Sequence, residues 1–285
     1  MATLDQHQSA LRSKVLVVGE QGTGKSTLVK SLVEAGQELF ILDFDDGLDY
    51  LRASLDPKYF NKVHYVTLKD DITWSGTNTP MLKGAPKAFP TAIKMIKQWK
   101  EGDEDYGPVS SWGPERTLVI DSGTHMGQAA MNYTMYINRR NGMDKRQKDW
   151  GNAMDRQMGL IQQLTGVDYK CNVVVMFHLK RLRVGKYDED TTDAKEEKEK
   201  EEILSFLRYP SALGQSLPPE IGSYFNCVVQ AKRKGYGAGT KYVLATEPDK
   251  DVQVKVPASP TVKKTLGREI PSDEGLAKLF KALQG

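Results

Sequence analysis

The stretch VVGEQGTGKSTLV, residues 17 to 29, constrains this chain more than any other. A β-branched run enters a cluster of three glycines and leaves at once into apolar residues at helical spacing, so strand, tight loop and helix follow without slack. Gly19, Gly24, Lys25 and Ser26 satisfy the pattern of glycine, four residues, glycine, lysine and hydroxyl. The glycines let the backbone curl. Successive N–H groups across Gly19, Gln21, Gly22, Thr23 and Gly24 then turn inward on a phosphate, and the helix start at Lys25, Ser26 and Thr27 adds the positive end of its dipole. Lys25 is placed to reach the β and γ phosphates, and Ser26 to ligate magnesium. The expected cofactors are therefore ATP and Mg2+.

A phosphate loop of this kind needs a second carboxylate for the magnesium shell, at the end of an apolar strand. RTLVIDSGTH (116 to 125) supplies Asp121 there, followed by Ser122. The plainer reading is that Asp121 caps the helix beginning near Thr124, and the two duties are compatible. Hydrolysis also needs a group that orients or deprotonates water. ILDFDDGLDYL (41 to 51) offers Asp43, Asp45, Asp46 and Asp49 at and beyond a strand end; one is a candidate base, and the alternative is a solvated acidic turn. His178 ends NVVVMFH (172 to 178), where a polar side chain can bond the γ phosphate and relay its loss to the segment that follows. A histidine that merely closes a strand is the bland alternative.

Short runs with little polar alternation recur at 14–18, 39–44, 63–68, 117–121 and 172–177, as in strands covered on both faces. Helical patterns at 25–36, 90–102 and 145–166 separate them, which predicts an α/β fold with a mainly parallel sheet. CVVQAKRKGYGAGTKYVLATEP (227 to 248) reads as two antiparallel strands, and PSDEGLAKLFKALQG (271 to 285) as a terminal amphipathic helix. Segments 70–90 with 102–115, and 183–222, are expected to be irregular. The expected organisation of the 285 residues is one domain with a core over about 12–246, a flexible loop over about 183–222, and a tail and helix from 247.

Composition narrows the setting. No apolar run approaches the roughly 18 residues that span a bilayer, and the polar start lacks a signal-peptide core. Cys171 and Cys227 lie far apart in apolar segments, reading as buried reduced thiols of a cytoplasmic protein without a membrane partner. Net charge is only +3, from 40 basic against 37 acidic residues, so bulk charge does not announce nucleic acid. Its distribution is more informative: HLKRLRVGK (178 to 186) and AKRKG (231 to 235) flank the acidic-rich 188–202.

The order VLVVGEQGTGKST, ILDFDDGLD, TLVIDSGTH, VVVMFHLKRLRVG and VVQAKRKG resembles the RecA-like P-loop ATPase core over most of residues 14 to 245. LPPEIGSYFNCVVQAKRKG (217 to 235) narrows the likeness to phage-encoded RecA-type ATPases of single-strand annealing and recombination. The resemblance implies Lys25 and Ser26 on phosphate and magnesium, Asp121 as the Walker B aspartate and His178 as the γ-phosphate sensor. It places Asp45 where the recombinase carries its catalytic glutamate, one methylene longer, with Asp46 a competitor. It also implies a homo-oligomer, ring or filament, in which Lys232, Arg233 and Lys234, or Lys241 in the next strand, reach a neighbour's ATP site, or else form a basic solvated hairpin. Lys180, Arg181, Arg183 and Lys186, with Tyr187, Arg208 and Tyr209, are the types a single-stranded DNA groove uses. The implied setting is the host-cell cytoplasm, with a phage or host single-strand-binding protein as a further partner. A strand-annealing module with little hydrolysis, a DNA motor and a small-molecule kinase are the rival functions.

Overall fold

The computed structural model describes residues 12–76, 78–181, 207–249, 251–257 and 259–284. β1 (Lys14–Gly19) leads through the phosphate loop into α1 (Lys25–Leu28) and α2 (Lys30–Glu34). β2 (Glu38–Asp43), α3 (Asp49–Ser54) and β3 (Val63–Thr67) follow, and then two small hairpins, β4 (Ile72–Trp74) with β5 (Pro80–Leu82) and β6 (Trp99–Glu101) with β7 (Glu104–Gly107), on either side of α4 (Ala88–Lys97). β8 (Arg116–Asp121), α5 (Gly123–Ile137), α6 (Gln147–Thr165) and β9 (Asn172–Arg181) complete the central run. β10 (Arg208–Pro210), α7 (Leu217–Glu220), β11 (Cys227–Lys234), β12 (Lys241–Ala245), α8 (Pro260–Leu266), β13 (Glu269–Pro271) and α9 (Gly275–Gln284) close the chain.

The main sheet runs β13-β12-β11-β1-β9-β8-β2-β3, with β10 added against the end of β9. β11, β1, β9, β8, β2 and β3 are mutually parallel; β12 joins antiparallel to β11, as expected of 227–248, and β13, which was not expected, joins antiparallel beyond it. The apolar runs explain why both faces are covered. Leu16, Val18, Phe40, Leu42, Leu118, Ile120, Val173 and Val175 project into one core with α4, α5 and α6 residues such as Ala92, Met126 and Leu160. Their alternates, Val15, Val17, Leu39, Ile41, Val119 and Val174, enter the other with Leu28, Leu32 and Val33 of the first helices and Leu276, Leu279 and Phe280 of α9. Each such side chain stabilises the fold by about 1.5–3 kcal/mol on burial. The last helix is thus part of the second layer.

Three expectations are corrected. The helix predicted over 90–102 starts at Ala88, where Asp70 accepts from the N–H groups of Lys87 and Ala88, and it stops at Lys97. Gln98 is extended because Trp99 is drawn edge-on against Phe40 and tilted against Trp112, a tertiary contact that overrides helical spacing. The segments expected to be irregular carry the two hairpins, and 207–222 carries β10 and α7. The rest of the expected 183–222 loop, with the acidic run, lies outside the described residues. Cys171 and Cys227 are buried and unbridged. Among the described residues no helix is long and apolar enough to cross a membrane.

Candidate active site

Parallel strands deliver their carboxyl ends to one edge of the sheet, so the residue that closes each strand faces the loops of its neighbours. Gly19 closes β1 beside His178 of β9; Asp121 closes β8 between Met176 and Asp43. Strand β9 thus lies between the phosphate-loop strand and the one carrying Asp121.

The loop itself is shaped by two close approaches. A Cβ on Gly19 would stand 2.6 Å from Thr23 Oγ1 and 2.8 Å from the Ala231 carbonyl, so only glycine fits. Gly24 adopts φ 79°, and a Cβ there would also meet the Tyr242 ring at 3.2 Å. Gln21 and Gly22 form the exposed turn, Thr23 Oγ1 donates to Glu20 O at 2.8 Å, and the N–H of Thr27 returns to Gly24 O at 3.1 Å. Buried Lys25 points its ammonium at Gly19 O (3.1 Å), Glu20 O (2.9 Å) and His178 Nδ1 (3.3 Å). Burial lowers its pKa, against the pull of Asp121 and Asp45.

Ser26 Oγ donates to Asp121 Oδ2 at 2.5 Å, bringing together the two residues expected to share magnesium. Burial pushes the Asp121 carboxyl up to about 6, with the neighbouring Asp45 and Asp43 charges adding to it. Asp121 does not cap α5. Ser122 does, its hydroxyl accepting from the His125 N–H at 3.4 Å. A buried carboxylate and a hydroxyl are hard oxygen donors of the kind magnesium takes, so these residues fit that ion.

The four aspartates at and beyond the end of β2 separate by role. Asp43 Oδ1 accepts from the N–H groups of Asp45 (3.2 Å), Asp46 (2.8 Å) and Gly47 (3.4 Å), which makes it the post of the turn. Asp46 is exposed at φ 57°, and Asp49 is exposed in the first turn of α3. Asp45 alone turns into the site. It accepts from Ser122 N (3.0 Å) and Oγ (2.7 Å), meets His125 Nδ1 at 2.5 Å through one oxygen, and meets His178 Nε2 at 3.1 Å through the other. Burial would raise its pKa, but the bonds from His125, His178 and Ser122 outweigh it and hold the carboxyl far below the usual range. The same bond raises the pKa of His125.

His125 was not among the residues singled out from sequence. It stands four residues after Asp121, one turn into the helix that leaves β8, and that spacing is the signal that would have found it. The donor atoms of Asp45, His125 and His178 lie within 4.8 Å of one another, a set that can share protons or hold a metal ion. His178 is also fixed by its N–H, which donates to Thr124 Oγ1 at 3.0 Å.

A sequence model of the family described as AAA domain matches residues 11–257. The chain belongs to the AAA domain family. No curated protein sequence matches this AAA domain. Among solved structures it is similar to an ATPase of the type III secretion system of pathogenic bacteria, at 11% identity and TM-score 0.40, over 78% of this chain and 52% of the other. It is also similar to a KaiC-like protein of Pyrococcus horikoshii OT3 (12% identity, TM-score 0.38, 82% and 78% covered) and to the flagellar accessory protein FlaH of Methanocaldococcus jannaschii (11%, 0.36, 85% and 89%). The AAA domain spans about half the length of the secretion ATPase. Its fold class is the mainly parallel α/β P-loop type with antiparallel C-terminal strands.

The remaining basic candidates fare differently. Lys180 Nζ is tied to Ala212 O (2.6 Å) and Gly214 O (3.2 Å), and burial lowers its pKa. Arg181 is exposed opposite Arg208, which pairs with Asp251 at 2.7 Å and with Glu20. Arg183, Lys186 and Tyr187 lie outside the described residues. Lys232 and Lys234 are paired within the chain, with Asp249 and Glu269, at 2.7 and 2.6 Å, while Arg233 between them is exposed.

Proposed function

We propose that this AAA domain is a magnesium-dependent ATPase that acts as an oligomer on single-stranded DNA, in annealing or recombination of the kind phages encode. The observation that carries the reading is the meeting of Lys25, Ser26 and Asp121 with Asp45 and His178 at one end of the sheet. Ser26 and Asp121 would hold magnesium, which would supply positive charge where the β and γ phosphates part. Lys25 binds the same phosphates and spreads their charge. Asp45 positions the attacking water for in-line displacement once an oxygen is released by its partners. His178, with one ring nitrogen on Lys25 and the other on Asp45, links the state of the phosphates to the carboxylate. Arg233 projects opposite to its paired neighbours along β11 and is the member of that basic trio left for a neighbouring subunit's site.

One observation favours a second reading. Asp45 is already engaged by two imidazoles and Ser122, an arrangement that suits a nucleotide-gated annealing module with slow turnover. The deciding experiment measures ATP hydrolysis with and without a single-stranded oligonucleotide, in the parent and in Lys25→Ala. Turnover that DNA accelerates, and that Lys25→Ala lowers by about 10²-fold or more, is expected. Tight ATP binding without turnover, with annealing that persists on a nonhydrolysable analogue, would replace the ATPase by the gated module.

A further inference from the structure

The turn between α5 and α6 was not read as a site from sequence, yet it is where exposed charge and exposed rings coincide. Residues 136–150 carry five basic side chains against two acidic ones. One of each is spent internally: Asp149 is buried and accepts from Arg140 Nε at 3.0 Å, from Asn138 at 2.9 Å and from the Arg146 N–H at 2.9 Å. Arg139, Lys145, Arg146 and Lys148 remain exposed, with no ion-pair partner among the described residues. Met143, 58% exposed, lies among them in the chain, and Tyr136 at 42% and Trp150 at 37% flank them. Lys145 Nζ stands 5.3 Å from the Trp150 ring centroid.

This tip is held rigidly. Asn141 exchanges two hydrogen bonds with the backbone of Leu82, at 2.8 and 2.9 Å, docking the turn on the β4–β5 hairpin. It also stands clear of the sheet. Gln157 bonds Gly123 O at 2.7 Å beside the end of β8, so the start of α6, ten residues earlier, lies about 15 Å farther out at 1.5 Å per residue. From Trp150 an open groove of about 700 Å³ runs past Gln128 and Gln215 to His125. His125 is the residue that grips Asp45.

Four cations unpaired among the described residues, with exposed rings at either end of the segment, one of them under Lys145, match a polyanion that also presents flat apolar faces, which describes a single nucleic-acid strand better than a duplex or an acidic polypeptide. We propose that the α5–α6 tip and this groove bind a single strand: phosphates on Arg139, Lys145, Arg146 and Lys148, a base on Trp150, and a base in the groove against His125. The inference rests on the reading of the chain as an ATPase acting on single-stranded DNA; Lys180 also lines the groove, but its ammonium is already bound to Ala212 O and Gly214 O, so the phosphate contacts fall on the tip. It also supplies a route by which strand binding alters the water-positioning carboxylate.

The test is fluorescence anisotropy of a labelled oligo-dT, without nucleotide, over a salt series, using the full chain, Trp150→Ala and the double variant Lys145→Ala, Arg146→Ala. Trp150→Ala should weaken binding about fivefold or more, as expected for one lost stacking platform. The double variant should reduce the slope of log affinity against log salt by about 1.4, two phosphates at about 0.7 each. Melting temperatures check that both variants fold, and the exposed double variant decides the matter if Trp150→Ala does not. Binding by the parent that neither variant weakens overturns the surface while leaving a DNA-binding ATPase standing. No binding by the parent at low salt overturns the DNA partner as well, and ATP turnover measured without DNA then judges the hydrolytic reading separately. A duplex bound as tightly as oligo-dT, or poly-glutamate competing equally with it, overturns the single strand as the occupant.

Discussion

Two histidine and carboxylate clusters sit at opposite ends of the same strands. At the amino ends, His64 of β3 meets Glu101 at 2.8 Å, and Arg116 of β8 holds Glu38 of β2 at 2.7 Å. Rings cover its histidine and arginine, though Glu101 stays about half exposed: Phe40 stacks on His64 with centroids 4.7 Å apart, Trp112 lies 4.1 Å from Phe40, and the Arg116 guanidinium lies 5.4 to 5.5 Å from Phe40, Tyr106 and Trp112. At the carboxyl ends, Asp45, His125 and His178 use the same chemistry, but His125 is about half exposed on a groove and His178 touches the phosphate-loop lysine. The residue types therefore do not mark the functional end. What distinguishes it is the strand direction, which sends backbone N–H groups and loop openings to one edge, while at the other the histidine is covered by rings.

Exchanging the clusters' roles by mutation sharpens this contrast. Asp45→Asn should lower kcat by about 10²–10⁴-fold, and should also lower the melting temperature, because the ionised carboxylate is what His125, His178 and Ser122 stabilise, so kcat is taken per folded molecule. Equal kcat in steady-state kinetics would remove Asp45 from the water-positioning role. His64→Ala should act on stability alone, destabilising the fold by about 1–3 kcal/mol in urea unfolding while turnover per folded molecule stays the same. A loss of turnover there would mean that the two ends communicate.

The smallest effect is a pH dependence at the open end. The Asp45 bond raises the folded-state pKa of His125 above 6.5, so the stabilisation it contributes is complete below that value and fades as pH rises through the folded-state pKa. The melting-temperature difference between the parent and His125→Gln should accordingly be largest below pH 6.5 and shrink above it. A difference independent of pH would dissolve the pair.

Much of this was legible without coordinates. The glycine and lysine spacing at 19–26 specified the phosphate loop because only that backbone chemistry tolerates Gly19 against Ala231 and Gly24 at positive φ. The apolar runs specified a sheet covered on both faces, since strands lacking alternation have no face to give to water. Helix length at 90–102 was misread because Trp99 answers to Phe40, a neighbour in space that periodicity does not see. The basic segment at 178–186 drew attention by density, whereas the tip at 138–150 mixes acids with its cations and hides its net charge until Asp149 is seen to be buried.

The sequence by itself determined the loop, the strand ends and the kinds of group available there, because those depend on residues adjacent in the chain. Only the tertiary structure decided which aspartate meets the site, that His125 grips it, and that Lys180, Lys232 and Lys234 are already engaged. Those outcomes depend on partners 17 to 133 positions away, brought together by packing rather than by spacing.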